Sequence, residues 1–187
     1  MNMPGRADPA ADAAADPMRH LGLPPVVGRR ARLLILGSFP GAASLAARQY
    51  YAHPRNAFWP IVARLLAEPQ LPQWPYRQRL ARLRASPIAL WDVYASCRRS
   101  GSLDSAIEQP LLNDLAGLLA RHRQIACAAH NGGESARHAP LLARFGLATV
   151  VLPSSSPAYA RLSVEAKAER WAELLAPWLH DRGEARR

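Results

Sequence analysis

Residues 33–61 read LLILGSFPGAASLAARQYYAHPRNAFWPI. The stretch opens on Leu33-Leu34-Ile35-Leu36, four apolar residues with no polar alternate. A strand with one wet face would alternate, so a short continuous run fits a strand buried on both faces of a parallel sheet. Gly37-Ser38-Phe39-Pro40-Gly41 then ends the run with turn-forming residues. Further along, Phe58, Ile61, Val62, Leu65 and Leu66 fall at the i, i+3, i+4, i+7, i+8 spacing of one apolar helix face. The stretch therefore reads as strand, polar loop and amphipathic helix, one half of an α/β repeat.

The same grammar recurs outward. Ile88-Ala89-Leu90-Trp91, Ile125-Ala126-Cys127-Ala128-Ala129 and Ala148-Thr149-Val150-Val151-Leu152 are further apolar runs. Between and after them lie helical faces. Leu111, Leu112, Leu115, Leu118 and Leu119 make one, with Pro110 suited to a first helical turn. Val164, Ala168, Trp171, Leu174, Leu175 and Trp178 make another, and a weaker helix is expected from Tyr76 to Ala85. Strand–helix alternation predicts a single α/β layered domain over residues 29–180 with right-handed crossovers. Residues 1 to about 28 are rich in Ala, Asp and Pro and read as a disordered lead-in; 181–187 form a charged, basic tail.

The first twenty residues have no continuous apolar core, so no signal peptide is expected, and no run reaches the roughly 18–20 apolar residues that span a bilayer. A cytoplasmic location without membrane attachment is the expectation. Two cysteines, Cys97 and Cys127, are too few for a disulfide framework or a four-thiolate cluster. The formal net charge of +10 suits a polyanionic partner, because basic side chains displace counterions from phosphates. Of the 24 basic residues only Lys167 is a lysine, and alanine is abundant. A GC-rich genome produces the same bias, so charge alone does not decide for nucleic acid.

In an open parallel sheet, ligands bind beyond the carboxyl ends of the strands. The segments that follow the four runs are Gly37–Gly41, Asp92-Val93-Tyr94-Ala95-Ser96, His130-Asn131-Gly132-Gly133 and Pro153-Ser154-Ser155-Ser156-Pro157-Ala158-Tyr159. Singly each is an ordinary turn; on one sheet edge they make a cleft. Neither GxxxxGK nor GxGxxG occurs, which argues against nucleoside triphosphates and dinucleotides. The six histidines show no HExxH or comparable spacing, so no metal is expected, and no GxSxG elbow supports a serine hydrolase. Backbone N–H groups, serines, asparagines and aromatics remain, a set that suits a planar, polar, uncharged ligand beside phosphates.

Four segments carry a family resemblance: LLILGSFPGAASLAARQYYAHPRNAFWPI, WDVYASCRRSGSLDSAI, the Asn131-Gly132 pair and LPSSSPAYA, which run in order from about Arg32 to Arg161. Together they resemble the uracil-DNA glycosylase superfamily and, more narrowly, its hypoxanthine-DNA (deoxyinosine) glycosylase branch. YAHPRNAFW is also similar to the mismatch-specific uracil glycosylases. The resemblance implies a three-layer α/β/α domain with a short, mainly four-stranded parallel sheet. It implies excision of a deaminated base from DNA, in base-excision repair, by a monomer that needs no cofactor.

It also implies roles. The loop after the first strand, Gly37-Ser38-Phe39, contacts the base, but Phe39 stands where most members carry an Asp or Asn that positions water. In the hypoxanthine branch that duty passes to an asparagine downstream, here Asn56. Tyr51 matches the ring that stacks on the extruded base, and Asn131 matches the amide that reads its polar edge. Ser154, Ser155, Ser156, Pro157, Ala158 and Tyr159 match the loop that enters the minor groove and pinches phosphates, with His53 and Arg161 as flanking DNA contacts. Three positions depart from the pattern. Tyr159 replaces a more usual Asn, His130 replaces an aromatic, and Ser154 replaces a histidine that stabilises charge on the leaving base.

Plainer readings stand beside these. Asn56 precedes a helix, where an asparagine cap is an everyday device. Asn131 before Gly132 suits a turn, Tyr51 and Trp59 suit a core, and Ser154–Ser156 suit a turn. Asp92 is a rival for handling water, with loop capping as its plainer use. Lys167 lies in a helix near the carboxyl end, which argues against a Schiff-base lyase and for hydrolysis alone. Two other functions fit the pattern: a uracil-DNA glycosylase of broader specificity, and a catalytically inactive DNA-binding module, which the Phe39 substitution motivates.

Overall fold

The computed structural model describes residues 19–179. Residues 1–18 of the expected lead-in and the expected tail 181–187 lie outside the described residues. In chain order the strands are β1 (Arg19–Leu21), β2 (Leu33–Gly37), β3 (Ile88–Asp92), β4 (Tyr94–Arg99), β5 (Ile107–Leu112), β6 (Cys127–Asn131) and β7 (Ala148–Leu152). The helices are α1 (Ala42–Ala47), α2 (Phe58–Leu65), α3 (Tyr76–Arg84), α4 (Leu115–Arg121), α5 (Gly133–Ala136), α6 (Ala139–Ala143) and α7 (Val164–Leu179).

The four apolar runs form one parallel sheet in the order β3-β2-β6-β7. Every residue of β2 and β3 is buried, which is why neither run alternates. Helices α2 and α7 pack on one another, α3 lies on β3, and α5 and α6 lie on β6 with α6 also reaching β7. Phe58, Ile61 and Val62 of α2 and Trp171 and Leu175 of α7 supply buried side chains, as their spacing predicts. The fold is thus α/β, with a four-stranded parallel sheet clad in helices.

Three features differ from the sequence reading. The part of the lead-in within the described residues, 19–28, is built into the domain. Val26 exchanges both backbone hydrogen bonds with Leu90 (2.8 and 2.9 Å), and Trp91 Nε1 donates to the Leu23 carbonyl at 3.1 Å. This segment covers the outer edge of β3, whose unpaired backbone groups would otherwise be open. Second, β1, β4 and β5 form a separate antiparallel sheet, so Tyr94–Ser96 belongs to a strand rather than a loop. Third, the helix expected from Pro110 starts at Leu115, capped by Asp114, whose Oδ1 accepts the Gly117 N–H at 2.9 Å. Leu111 and Leu112 lie in β5, which pairs only with β4, and a proline that lacks an N–H is tolerated on such an edge strand.

The lead-in makes a close approach at Gly28, where a Cβ would overlap the backbone carbonyl of Arg84. Gly133 has open space at the same position. Gly28→Ala should therefore lower stability by roughly 1–3 kcal/mol, because backbone cannot yield as a side-chain tip does. A thermal melt should show a lower Tm for Gly28→Ala and little change for Gly133→Ala.

Candidate functional site: a cleft at the carboxyl edge of the sheet

Parallel register brings the strand ends together: Gly37 lies opposite Asp92, and Asn131 opposite Leu152. The loops that leave these ends enclose a cleft of about 510 Å³. Gly37, Ser38, Phe39, Tyr51, His53, Asn56, Asn131 and the whole Ser154–Tyr159 turn line it. Arg161 is exposed and does not. Four segments far apart in sequence thus meet around one space, of the size that takes a small molecule.

Asn131 is the tie among them. Its Nδ2 donates to Tyr51 Oη at 3.0 Å and to Ser155 Oγ at 2.9 Å, and its Oδ1 accepts the Ser155 N–H at 2.8 Å. Ser155 in turn accepts the Ala57 N–H at its carbonyl (3.0 Å), which joins the last loop to the start of α2. Both amide hydrogens of Asn131 are thus used within the protein; an Oδ1 lone pair is what it has left for a ligand. Tyr51 has positive φ (54°), and its ring stacks on Phe58 with centroids 3.9 Å apart. Burial, with Asp92 nearby, holds its phenol far above the usual range, so it stays neutral.

Asn56 bonds the start of a helix and also faces the cleft. Its Oδ1 accepts the Phe58 N–H at 3.0 Å, a capping bond at the start of α2, and the residue also lines the cleft. Phe39 is buried, and the Arg99 guanidinium lies 5.1 Å from its ring while Nη2 donates to the Pro40 carbonyl. The loop after β2 therefore brings an apolar ring where a water-holding side chain would be expected. His130 does not line the cleft. It is wholly buried, its Nδ1 bonds Ser135 Oγ (2.9 Å), which donates to the Leu36 carbonyl (2.8 Å), and burial lowers its pKa to about 4.

Lys167 is closer to the cleft than its sequence position suggests. It sits in the first turn of α7, where Nζ donates to the Ser156 carbonyl at 3.3 Å and lies 5.3 Å from the Tyr159 ring centre. It braces the Ser154–Tyr159 turn from behind and is not part of the lining. Trp171 Nε1 adds a second brace, to the Pro153 carbonyl at 2.9 Å.

One wall of the lining was missed from sequence. Residues 102–105 close one side: Ser102 Oγ accepts the Ala42 N–H (2.9 Å), and Asp104 Oδ1 accepts the Ser38 hydroxyl (2.6 Å). Burial raises the pKa of Asp104, with its bond to Ser38 opposing. Asp92, expected at the cleft and weighed as a rival for handling water, forms part of the lining and is 3% exposed. Burial and the neighbouring Asp104 push its carboxyl up to about 7, against the pull of Arg99. Among the described residues no group of three His, Cys, Asp or Glu side chains is placed to hold a metal ion, and no helix is long and apolar enough to cross a membrane.

If Asn131 ties the loops, Asn131→Ala should loosen the turn it holds. Each lost bond is worth about 1 kcal/mol, so the Ser155 amide should exchange its hydrogen roughly tenfold faster or more. Hydrogen exchange followed by NMR reads this directly; unchanged protection at Ser155 would contradict it.

Comparison with known proteins agrees with this geometry. Residues 24–175 match the model of the uracil DNA glycosylase superfamily. The chain is similar to a hypoxanthine DNA glycosylase of Methanosarcina barkeri, 35% identical over 156 residues, covering 83% of this chain and 98% of the relative. A hypoxanthine DNA glycosylase of Methanosarcina acetivorans is 37% identical over 148 residues, covering 79% and 93%. A solution NMR structure from Methanosarcina acetivorans, assigned as a uracil DNA glycosylase, superposes with a TM-score of 0.76 at 35% identity, covering 87% of this chain and 99% of that one. The cleft at the sheet edge and the match over most of its length lead to one conclusion: the chain belongs to the uracil DNA glycosylase superfamily and is a DNA glycosylase, a hydrolase of N-glycosyl bonds.

Proposed function

We propose that this protein removes hypoxanthine from DNA, by hydrolysis of the N-glycosidic bond of a base flipped into the cleft. The observation that carries the reading is the convergence of Tyr51, Asn56, Asn131 and the Ser154–Tyr159 turn on one space. The names of the two Methanosarcina relatives supply the choice of base.

Unstacking a base takes a few kcal/mol, least for one that is mispaired or damaged. Part of this is returned by Tyr51, whose ring plane is fixed by Phe58, since base–aromatic stacking contributes about 1–3 kcal/mol. As the bond to the base breaks, the sugar takes on oxocarbenium character and a water adds to C1′. With Phe39 in the β2 loop, Asn56 is the group that orients this water, through the Oδ1 lone pair that the Phe58 N–H does not use. An amide does not take up the proton, so its work is orientation, and a slow enzyme results. The Ser154–Tyr159 turn, braced by Lys167 and Trp171, presents hydroxyl and N–H groups to phosphates. Lys167 is engaged behind that turn, outside the lining, so the reaction is hydrolysis alone and leaves the abasic strand intact.

End-labelled duplexes that contain hypoxanthine, uracil or xanthine, incubated with protein and then treated with hot alkali, test the reading. Alkali-dependent cleavage at hypoxanthine is expected. Preferred cleavage at uracil would move the assignment to a uracil enzyme, binding without cleavage would mark an inactive module, and nicking without alkali would contradict the hydrolytic mechanism. Asn56→Ala should slow single-turnover cleavage by about 100-fold or more while salt-sensitive binding persists. A fully active Asn56→Ala would remove Asn56 from the mechanism.

A further inference from the structure

We propose that Asp92 is the acid of this reaction: in its neutral form it passes a proton to N7 of the departing purine as the C1′–N9 bond breaks. The inference rests on the reading of the cleft as a purine-excising site.

Asp92 ends β3 and lines the cleft. It lies in register with Gly37, where a Cβ would run into Asp92 Oδ1 and stand 3.2 Å from Tyr51 Oη. Carboxyl and phenol thus share the space above a glycine that has no side chain. The other oxygen, Oδ2, is buried and has no hydrogen-bond partner among the described residues. The other acidic side chain among the described lining residues is engaged: Asp104 takes the Ser38 hydroxyl. Loop capping, the plain use for Asp92, is not what it does. Its backbone carbonyl, rather than its carboxyl, accepts the Asn113 amide, at 2.9 Å. A buried carboxyl oxygen with no partner is unfavourable, and in a cleft such a group is a candidate for chemistry.

Burial first, and the Asp104 carboxyl second, favour the neutral acid. The Tyr50 and Tyr51 phenols near it are themselves held neutral and add no charge. Arg99 on β4 is the one cation that acts on it, and that guanidinium is turned to the Pro40 carbonyl and the Phe39 ring. At neutral pH a sizeable fraction of Asp92 therefore carries its proton, as the value of about 7 expresses.

The rest of the cleft needs such a donor. No Lys or Arg is among the described residues that line it, Ser154 stands at the turn, and the lining imidazole of His53 has its Nδ1 taken by the Arg55 N–H, so an anionic leaving base meets no lysine or arginine there. Hypoxanthine offers a way out that uracil lacks, a basic imidazole nitrogen. When Asp92 Oδ–H protonates N7, the C1′–N9 electron pair is drawn into the ring and the base leaves neutral. The water oriented by Asn56 bonds through oxygen to C1′, and its released proton returns through solvent to the Asp92 carboxylate. Rotation about Cβ–Cγ exchanges the two carboxyl oxygens, so the proton is delivered from whichever faces the base.

The test is single-turnover excision from about pH 5 to pH 9, with wild type and Asp92→Asn, on duplexes that contain hypoxanthine or 7-deazahypoxanthine, in which a C–H replaces N7. Because the acid form is active, the wild-type rate should be level at low pH and fall about tenfold per unit as pH rises above about 7. Asp92→Asn should cut hypoxanthine roughly 100-fold more slowly, without that downturn, while its duplex affinity, measured in parallel, stays that of wild type. The 7-deaza substrate, which needs no altered protein, should resist wild type to a similar degree. Full activity of Asp92→Asn, a retained downturn in that variant, or equal cleavage of the 7-deaza substrate would each overturn the assignment. Wild type that releases no hypoxanthine at any pH would instead overturn the excision reading on which it rests.

Discussion

A side chain at position 37 would have to displace the Asp92 carboxyl. Strands β2 and β3 end in register, and the space a Cβ would take at Gly37 is already held by the Asp92 carboxyl and approached by the Tyr51 hydroxyl. Three chain segments can therefore close around one point, and the rest of the site follows. Tyr51 is reached by Asn131, Asn131 holds Ser155, and Ser155 meets the first residues of α2 beside Asn56. The cleft is the space left by this chain of contacts, set by strand register before any ligand arrives.

The first loop, Gly37–Gly41, carries no acidic or amide side chain. Phe39 is held down by Arg99, which leaves the β2 loop with backbone groups and Ser38 as its polar face. The polar side chains of the lining stand on its neighbours: Asn56 before α2, Asp92 at the next strand end and Asp104 on the loop that closes one side. Asn56 gains fixed geometry by capping its helix, since the bond to the Phe58 N–H holds the amide in one orientation. A structural bond thus fixes the group that is proposed to orient the water.

The parallel sheet was legible because burial on both faces leaves a continuous apolar run. β7 has the expected bounds; β2 and β3 run one residue past the apolar stretch, and β6 is shifted two residues to Cys127–Asn131, so His130 and Asn131 belong to the strand end. The antiparallel sheet was not legible. Arg19–Leu21 is a short polar edge, and the Leu111–Leu112 pair matched helical spacing although Asp114 supplies the true helix start. Pairing across 79 residues of chain, as Arg19 with Arg98, is a tertiary fact that local spacing does not encode. In the site, loop ends after apolar strands pointed to nearly all of the lining. Arg161, expected as a flanking DNA contact, is exposed and lies outside the lining, and the Ser102–Ser105 wall follows a polar stretch with no periodic signal. The brace from Lys167 was hidden for a related reason: a charged residue on an apolar helix face reads as solvated until the loop beneath it is seen.

The most direct measurement is a structure of the protein with a duplex that carries 2′-fluoro-2′-deoxyinosine, a substrate whose glycosidic bond resists cleavage. The account predicts hypoxanthine flipped into the cleft, its plane parallel to Tyr51, with N7 in hydrogen-bonding range of the Asp92 carboxyl and a water between Asn56 and C1′. A base still stacked in the duplex, or bound away from these residues, would contradict it.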